Sequence, residues 1–70
     1  MIFLSKNLCQ INNFTQIKYI KSSEILISCK IDTIVIKGEN LHLSYFSKDE
    51  LTIEGRIESV NFNDLDPHNL

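Results

Sequence analysis

Two histidines, two cysteines and a scatter of carboxylates are the residues able to carry chemistry, and their spacing decides what chemistry that is. A histidine works as a base or a metal ligand when a second ligand or an orienting carboxylate is held beside it. His42 alternates with Leu41 and Leu43, so on a strand it points away from the side that those leucines bury. No residue at a fixed spacing gives it a partner, and His68 sits in a polar C-terminal stretch. Both read as exposed structural residues. Cys9 and Cys29 lack the spacing of a zinc site and are too few for a disulfide framework. With no secretory pattern at the start of the chain, they are expected to be free thiols of core or near-core type in a reducing compartment. Asp49-Glu50 has the composition of a general acid–base pair, but consecutive residues on a strand face opposite ways. That pair reads as a charged turn, and Asp64 and Asp66 as a solvated tail. The serines fall in no G-x-S-x-G elbow, and the region of Gly38 has neither a phosphate-loop nor a dinucleotide pattern. The expectation is a protein that is not an enzyme, with no catalytic, metal-binding or cofactor-binding residue and no cofactor.

Positioning even a binding surface requires a fold, and 70 residues allow one small domain. A chain of this length buries only about 60 % of its unfolded surface. The net charge of −2 lacks the basic excess through which nucleic-acid binders neutralise phosphate. Charge is unevenly spread: +3 from Met1 to Lys37 and −5 from Gly38 to Leu70. Phe14, Tyr19, Tyr45 and Phe46 lie near Lys18, Lys21 and Lys48, the combination on which single strands stack. Tyr19 and Tyr45 nevertheless read onto apolar faces, and the acidic half repels phosphate, so no nucleic-acid partner is expected. The longest apolar run, Met1 to Leu4, is far short of the ~20 residues of a bilayer span. The expected location is cytoplasmic, without direct membrane insertion.

There is no alanine, while isoleucine occurs eleven times, a composition that favours strands over helices. Alternation is direct: Ile25, Ile27 and Cys29 share one face, then Ile34 and Ile36, then Leu41, Leu43 and Tyr45, then Leu51, Ile53, Gly55 and Ile57. Lys21-Ser22-Ser23, Lys30-Ile31-Asp32, Gly38-Glu39-Asn40 and Ser47-Lys48-Asp49 read as the turns between these segments. Ile57 and Val60 are three apart, which predicts a bulge near Glu58-Ser59 before Val60 and Phe62 resume the inner face. Upstream, Ile2 to Leu4 and Leu8 to Ile11 form one interrupted strand or two short ones, and Phe14 to Ile20 another. The fold class is all-β: residues 1–62 as a single small domain, mainly an antiparallel meander making a twisted sheet, small sandwich or β-roll, and residues 63–70 as a polar tail. The expected core is Ile25, Ile27, Ile34, Ile36, Leu41, Leu43, Leu51, Ile53, Ile57 and Phe62.

Leu26, Val35 and Phe46 break the polar character expected of the outer face. A single sheet cannot protect both of its faces. Either the N-terminal strands fold across these residues, or a partner or a second copy of the chain does. Leu26, Val35 and Phe46 are therefore the candidate protein-interface residues, with unpaired strand edges as the second means of contact.

The run Thr33-Ile34-Val35-Ile36-Lys37-Gly38-Glu39-Asn40-Leu41-His42-Leu43, followed by Glu50-Leu51-Thr52-Ile53-Glu54-Gly55-Arg56-Ile57-Glu58-Ser59-Val60-Asn61-Phe62, resembles the YabP/YqfC family of bacterial sporulation proteins. The family pattern is I-x-G-x-x-L-x-I, then E-[IL]-x-[IV]-x-G-x-[IL] ending near an aromatic residue. Ile11-Asn12-Asn13-Phe14 is similar to the I-E-N-H stretch of the YqfC branch, with Phe14 in place of its histidine. The resemblance covers roughly Leu8 to Phe62. Asp32 stands where the family has a turn glycine, and the N-terminus is shorter than is usual there. The resemblance implies a non-enzymatic protein needed for endospore formation, made in the mother cell and peripheral to the forespore membrane. Its implied partners are other sporulation proteins, one of them membrane-linked; self-association is the further mode that the outer apolar residues and strand edges suggest. The alternative is a generic small β binding module, OB-like, taking a peptide or, weakly, single-stranded nucleic acid.

Overall fold

The computed structural model describes residues 2–64, and these form six strands and no helix. They are β1 (Ile2–Leu4), β2 (Leu8–Asn12), β3 (Phe14–Ile20), β4 (Glu24–Cys29), β5 (Asp32–Phe46) and β6 (Glu50–Asp64). All pair antiparallel in one sheet of order β1-β2-β6-β5-β4-β3. The isoleucine-rich alternation sets the register, because a slip of one residue would turn every buried side chain outward. Thus Ile25 lies opposite Ile36, Ile27 opposite Ile34, Cys9 opposite Ile53, and Ile11 opposite Leu51. No helix among the described residues is long and apolar enough to cross a membrane.

The 15-residue strands β5 and β6 organise everything else. Their hairpin has two halves with different neighbours. Residues 33–37 of β5 pair with β4, while residues 50–54 of β6 pair with β2. Between the halves the ladder shifts register at Lys37/Gly38 and again between Glu39 and His42. Asn40 there takes the left-handed φ of 55°, and Gly55 a φ of 135°. Only glycine fits at the crossing: a Cβ on Gly38 would lie 1.9 Å from the Arg56 carbonyl oxygen, and one on Gly55 2.6 Å from that of Asn40. The neighbouring loops pin this bend. Gly38 N–H and Leu41 N–H donate to the carbonyls of Ser23 and Ser22, and Gly55 N–H and Ile57 N–H to those of Asn7 and Lys6.

The bend lets the two halves of one sheet cover each other. Ile25, Ile27, Ile34 and Ile36 come from one half, Cys9, Ile11, Leu51 and Ile53 from the other, and Leu41 from the bend. All nine are buried in a single cluster without any helix to cover them. Each large side chain so enclosed contributes about 1.5–3 kcal/mol. The core therefore arises from folding one sheet over, as in a roll, rather than from stacking a second sheet.

Several expectations are corrected by this arrangement. Gly38-Glu39-Asn40 is not a turn between strands but the kink within β5, because its backbone groups remain engaged with β6 and with the Ser22-Ser23 loop. Of the two readings of the N-terminal segment, the two short strands hold, as β1 and β2 joined by Ser5-Lys6-Asn7. Phe62 lies opposite Ile34 on the inner face as expected, yet it is 55 % exposed, since β6 there has run past the opposing half. Leu43 and Ile57 pack against the core but are only partly buried. A further shift between Leu43 and Tyr45 exchanges the faces of the next two residues. Tyr45 then faces outward with Thr52, and Phe46 shares the inner side with Leu51. The bulge expected near Glu58 is present, for Lys37 opposes Ser59 and Gly38 opposes Ile57. Strand β6 continues through Asn63 and Asp64, and the rest of the segment read as a tail, including Pro67 and His68, lies outside the described residues.

Candidate protein-interaction surface

On the outer face of the β3–β4–β5 half, the register brings Tyr19, Leu26 and Val35 into one row across three strands, continued by the exposed Asn61 of β6. All three are half-buried by one another and by their neighbours. The N-terminal strands do not cover this row, because Ile2, Cys9 and Ile11 project into the inner core. A polar border surrounds it. Glu24 stands opposite Lys37, the Tyr19 hydroxyl donates to the Glu24 carboxylate, and the Lys21 ammonium lies 5.1 Å from the centre of the Tyr19 ring. The hydrogen bond to Glu24, then burial and the carboxylate's charge, push the Tyr19 hydroxyl above its usual pKa. An apolar stripe ringed by charge is the ordinary anatomy of a protein contact.

Leu26 and Val35 thus share a surface, but Phe46 does not join them. The shift after Leu43 turns Phe46 to the inner side, where its ring lies 6.1 Å from that of Phe14 at a tilt of 41°. It remains 58 % exposed at the rim, so it bridges the end of β5 to the start of β3. That tilted pairing satisfies the usual geometry of aromatic contacts.

Of the two histidines, only His42 lies among the described residues. His42 is exposed, with Nδ1 3.1 Å from the Asn40 carbonyl oxygen. Cys9 and Cys29 are free thiols. Burial pushes Cys9 from 9.0 up to about 11, while Cys29 is raised by burial and by the charge of Asp32. Among the described residues, no three His, Cys, Asp or Glu side chains converge in a metal-binding group.

Sequence reasoning missed the open end of the roll. There the two halves diverge around a cleft of about 430 Å³, lined by Ile2, Ile11, Cys29, Ile34 and Phe62, with the Lys30-Ile31-Asp32 turn at its border. Ile31 is 78 % exposed. The available signal was an isoleucine placed inside an otherwise charged turn. Among known proteins, the family model described as the YabP family matches residues 2–69. No curated protein matches the chain.

Proposed function

The chain belongs to the YabP family, and from that premise we propose that it is a sporulation protein that works without catalysis, by docking to other proteins of spore assembly. Membership of the family is consistent with a part in sporulation. The finer reading places it in the mother cell, at the periphery of the forespore membrane, held there by a membrane-linked partner. It also places the chain with the YqfC branch, on the likeness of Ile11-Asn12-Asn13-Phe14 to that branch's I-E-N-H stretch.

The observation that carries the docking role is the outward row of Leu26 and Val35, apolar where a solvated sheet face is polar, with Glu24 and Lys37 beside it. Such a row supplies buried apolar area at its centre and charges at its edge that fix orientation. The alternative of an OB-like module loses its structural basis. Six strands in the order β1-β2-β6-β5-β4-β3 are not the five-stranded Greek-key barrel of that fold. Deleting the gene and counting heat-resistant spores tests the proposal: the yield should collapse, and an unchanged yield would contradict it.

A further inference from the structure

The outer row leaves unexplained the most exposed large apolar side chain among the described residues. Ile31 sits at the tip of the β4–β5 turn, 78 % exposed, beside the cleft at the open end of the roll. Ile2, Ile11, Ile34 and Phe62 give the cleft an apolar lining beside Asn12 and Asn13, and its volume of about 430 Å³ leaves room for an aliphatic side chain. Knob and hole thus stand side by side on one end of the chain. Ile31 lines the rim of this cleft and still keeps 78 % of its surface exposed, so most of its side chain is open to a partner.

We propose that this end is a self-association site, in which two copies meet about a two-fold axis and each inserts Ile31 into the cleft of the other. A two-fold contact requires a surface that complements itself, with every residue pair occurring twice. The turn meets that requirement in charge as well as in shape. Lys30 and Asp32 flank Ile31 with opposite signs, and neither takes part in an ion pair among the described residues. A two-fold axis through the turn sets Lys30 of each copy against Asp32 of the other. An unrelated partner would give no reason for cation, knob and anion to follow one another beside a matching hole. The exposed surface of the chain, 4538 Å², comfortably accommodates the roughly 800 Å² per partner of a standard interface. The site lies on the other side of the sheet from Leu26 and Val35, so it does not rest on the proposed docking role and leaves that row free in a dimer.

Sedimentation velocity on the full chain, over a concentration series reaching the millimolar range, tests the assignment. The expected species is a dimer of twice the 8.1 kDa chain mass. Ile31→Ser alters an exposed tip and should keep the strand circular dichroism while yielding monomer. Lys30→Asp should weaken the dimer, and Lys30→Asp combined with Asp32→Lys should restore it, because the reversed turn is again self-complementary. Wild-type protein that stays monomeric throughout the series overturns the proposal. So does a dimer that survives Ile31→Ser, or one that Val35→Glu dissociates while Ile31→Ser does not. Should Ile31→Ser lose its fold, Phe62→Ser at the exposed wall of the cleft takes its place, with the same two readings.

Discussion

Cys9 illustrates how the bent sheet changes the chemistry of one side chain. Its thiol is fully enclosed between the two halves, and burial moves it from 9.0 to about 11. Since the thiolate is the reactive form, Cys9 should be inert to a thiol reagent at pH 8 in the folded protein, and Cys29 should react first from its place in the cleft. Reagent counting should give one rapid thiol before denaturation and two after. The same shift links stability to pH. Below about pH 9 both folded and unfolded chains hold the proton, and the stabilisation is fully present. Between 9 and 11 the unfolded chain releases it while the folded chain retains it, so stability falls, by up to about 2–3 kcal/mol for a shift of this size. Urea titrations at pH 8 and pH 11 should show a larger loss for the wild-type chain than for Cys9→Ala, and equal losses would contradict the assignment.

Gly38 does for a strand what Cys9 shows for a side chain: its surroundings fix what it can be. With the Arg56 carbonyl 1.9 Å from where a Cβ would sit, Gly38→Ala must push β5 and β6 apart at the bend. We expect a loss of about 3 kcal/mol or more in chemical denaturation, enough to threaten a domain of this size. Glu39→Ala next to it should cost less than about 0.5 kcal/mol, since Glu39 makes only an exposed pair with Arg56 at 3.9 Å. How far these elements were legible follows from the same residues. Period-two alternation identified Ile25, Ile27, Ile34, Ile36 and Ile53 as core and Leu26 and Val35 as outward, because side-chain direction on a strand is local information; it left out Cys9 and Ile11, where the alternation upstream is short. It misplaced Gly38-Glu39-Asn40 as a turn, because glycine and a left-handed asparagine mark a kink and a hairpin alike. It put Phe46 on the wrong face, because a bulge between Leu43 and Tyr45 leaves no trace in hydrophobicity. It counted Phe62 as core, because burial at the end of a strand depends on what the opposite half covers.

Folding one sheet over itself encloses the middle of the inner face and leaves the chain's contacts to its outer face, edges and open end. The topology also intermixes the uneven charges of the sequence. Acidic β6 runs between β2 and β5, so the basic and acidic halves lie side by side within one molecule. On the outer face of the β3–β4–β5 half the row through Leu26 and Val35 is apolar, and membership of the YabP family gives that row its proposed purpose. The most direct measurement replaces the chromosomal gene by a Val35→Glu allele and counts heat-resistant spores, with circular dichroism and urea unfolding of the purified variant alongside. Val35 points away from the core, so the variant should fold as the wild type does, and the spore count should fall to that of the deletion strain. A folded Val35→Glu protein that supports normal spore numbers would contradict the assignment of this surface to spore assembly.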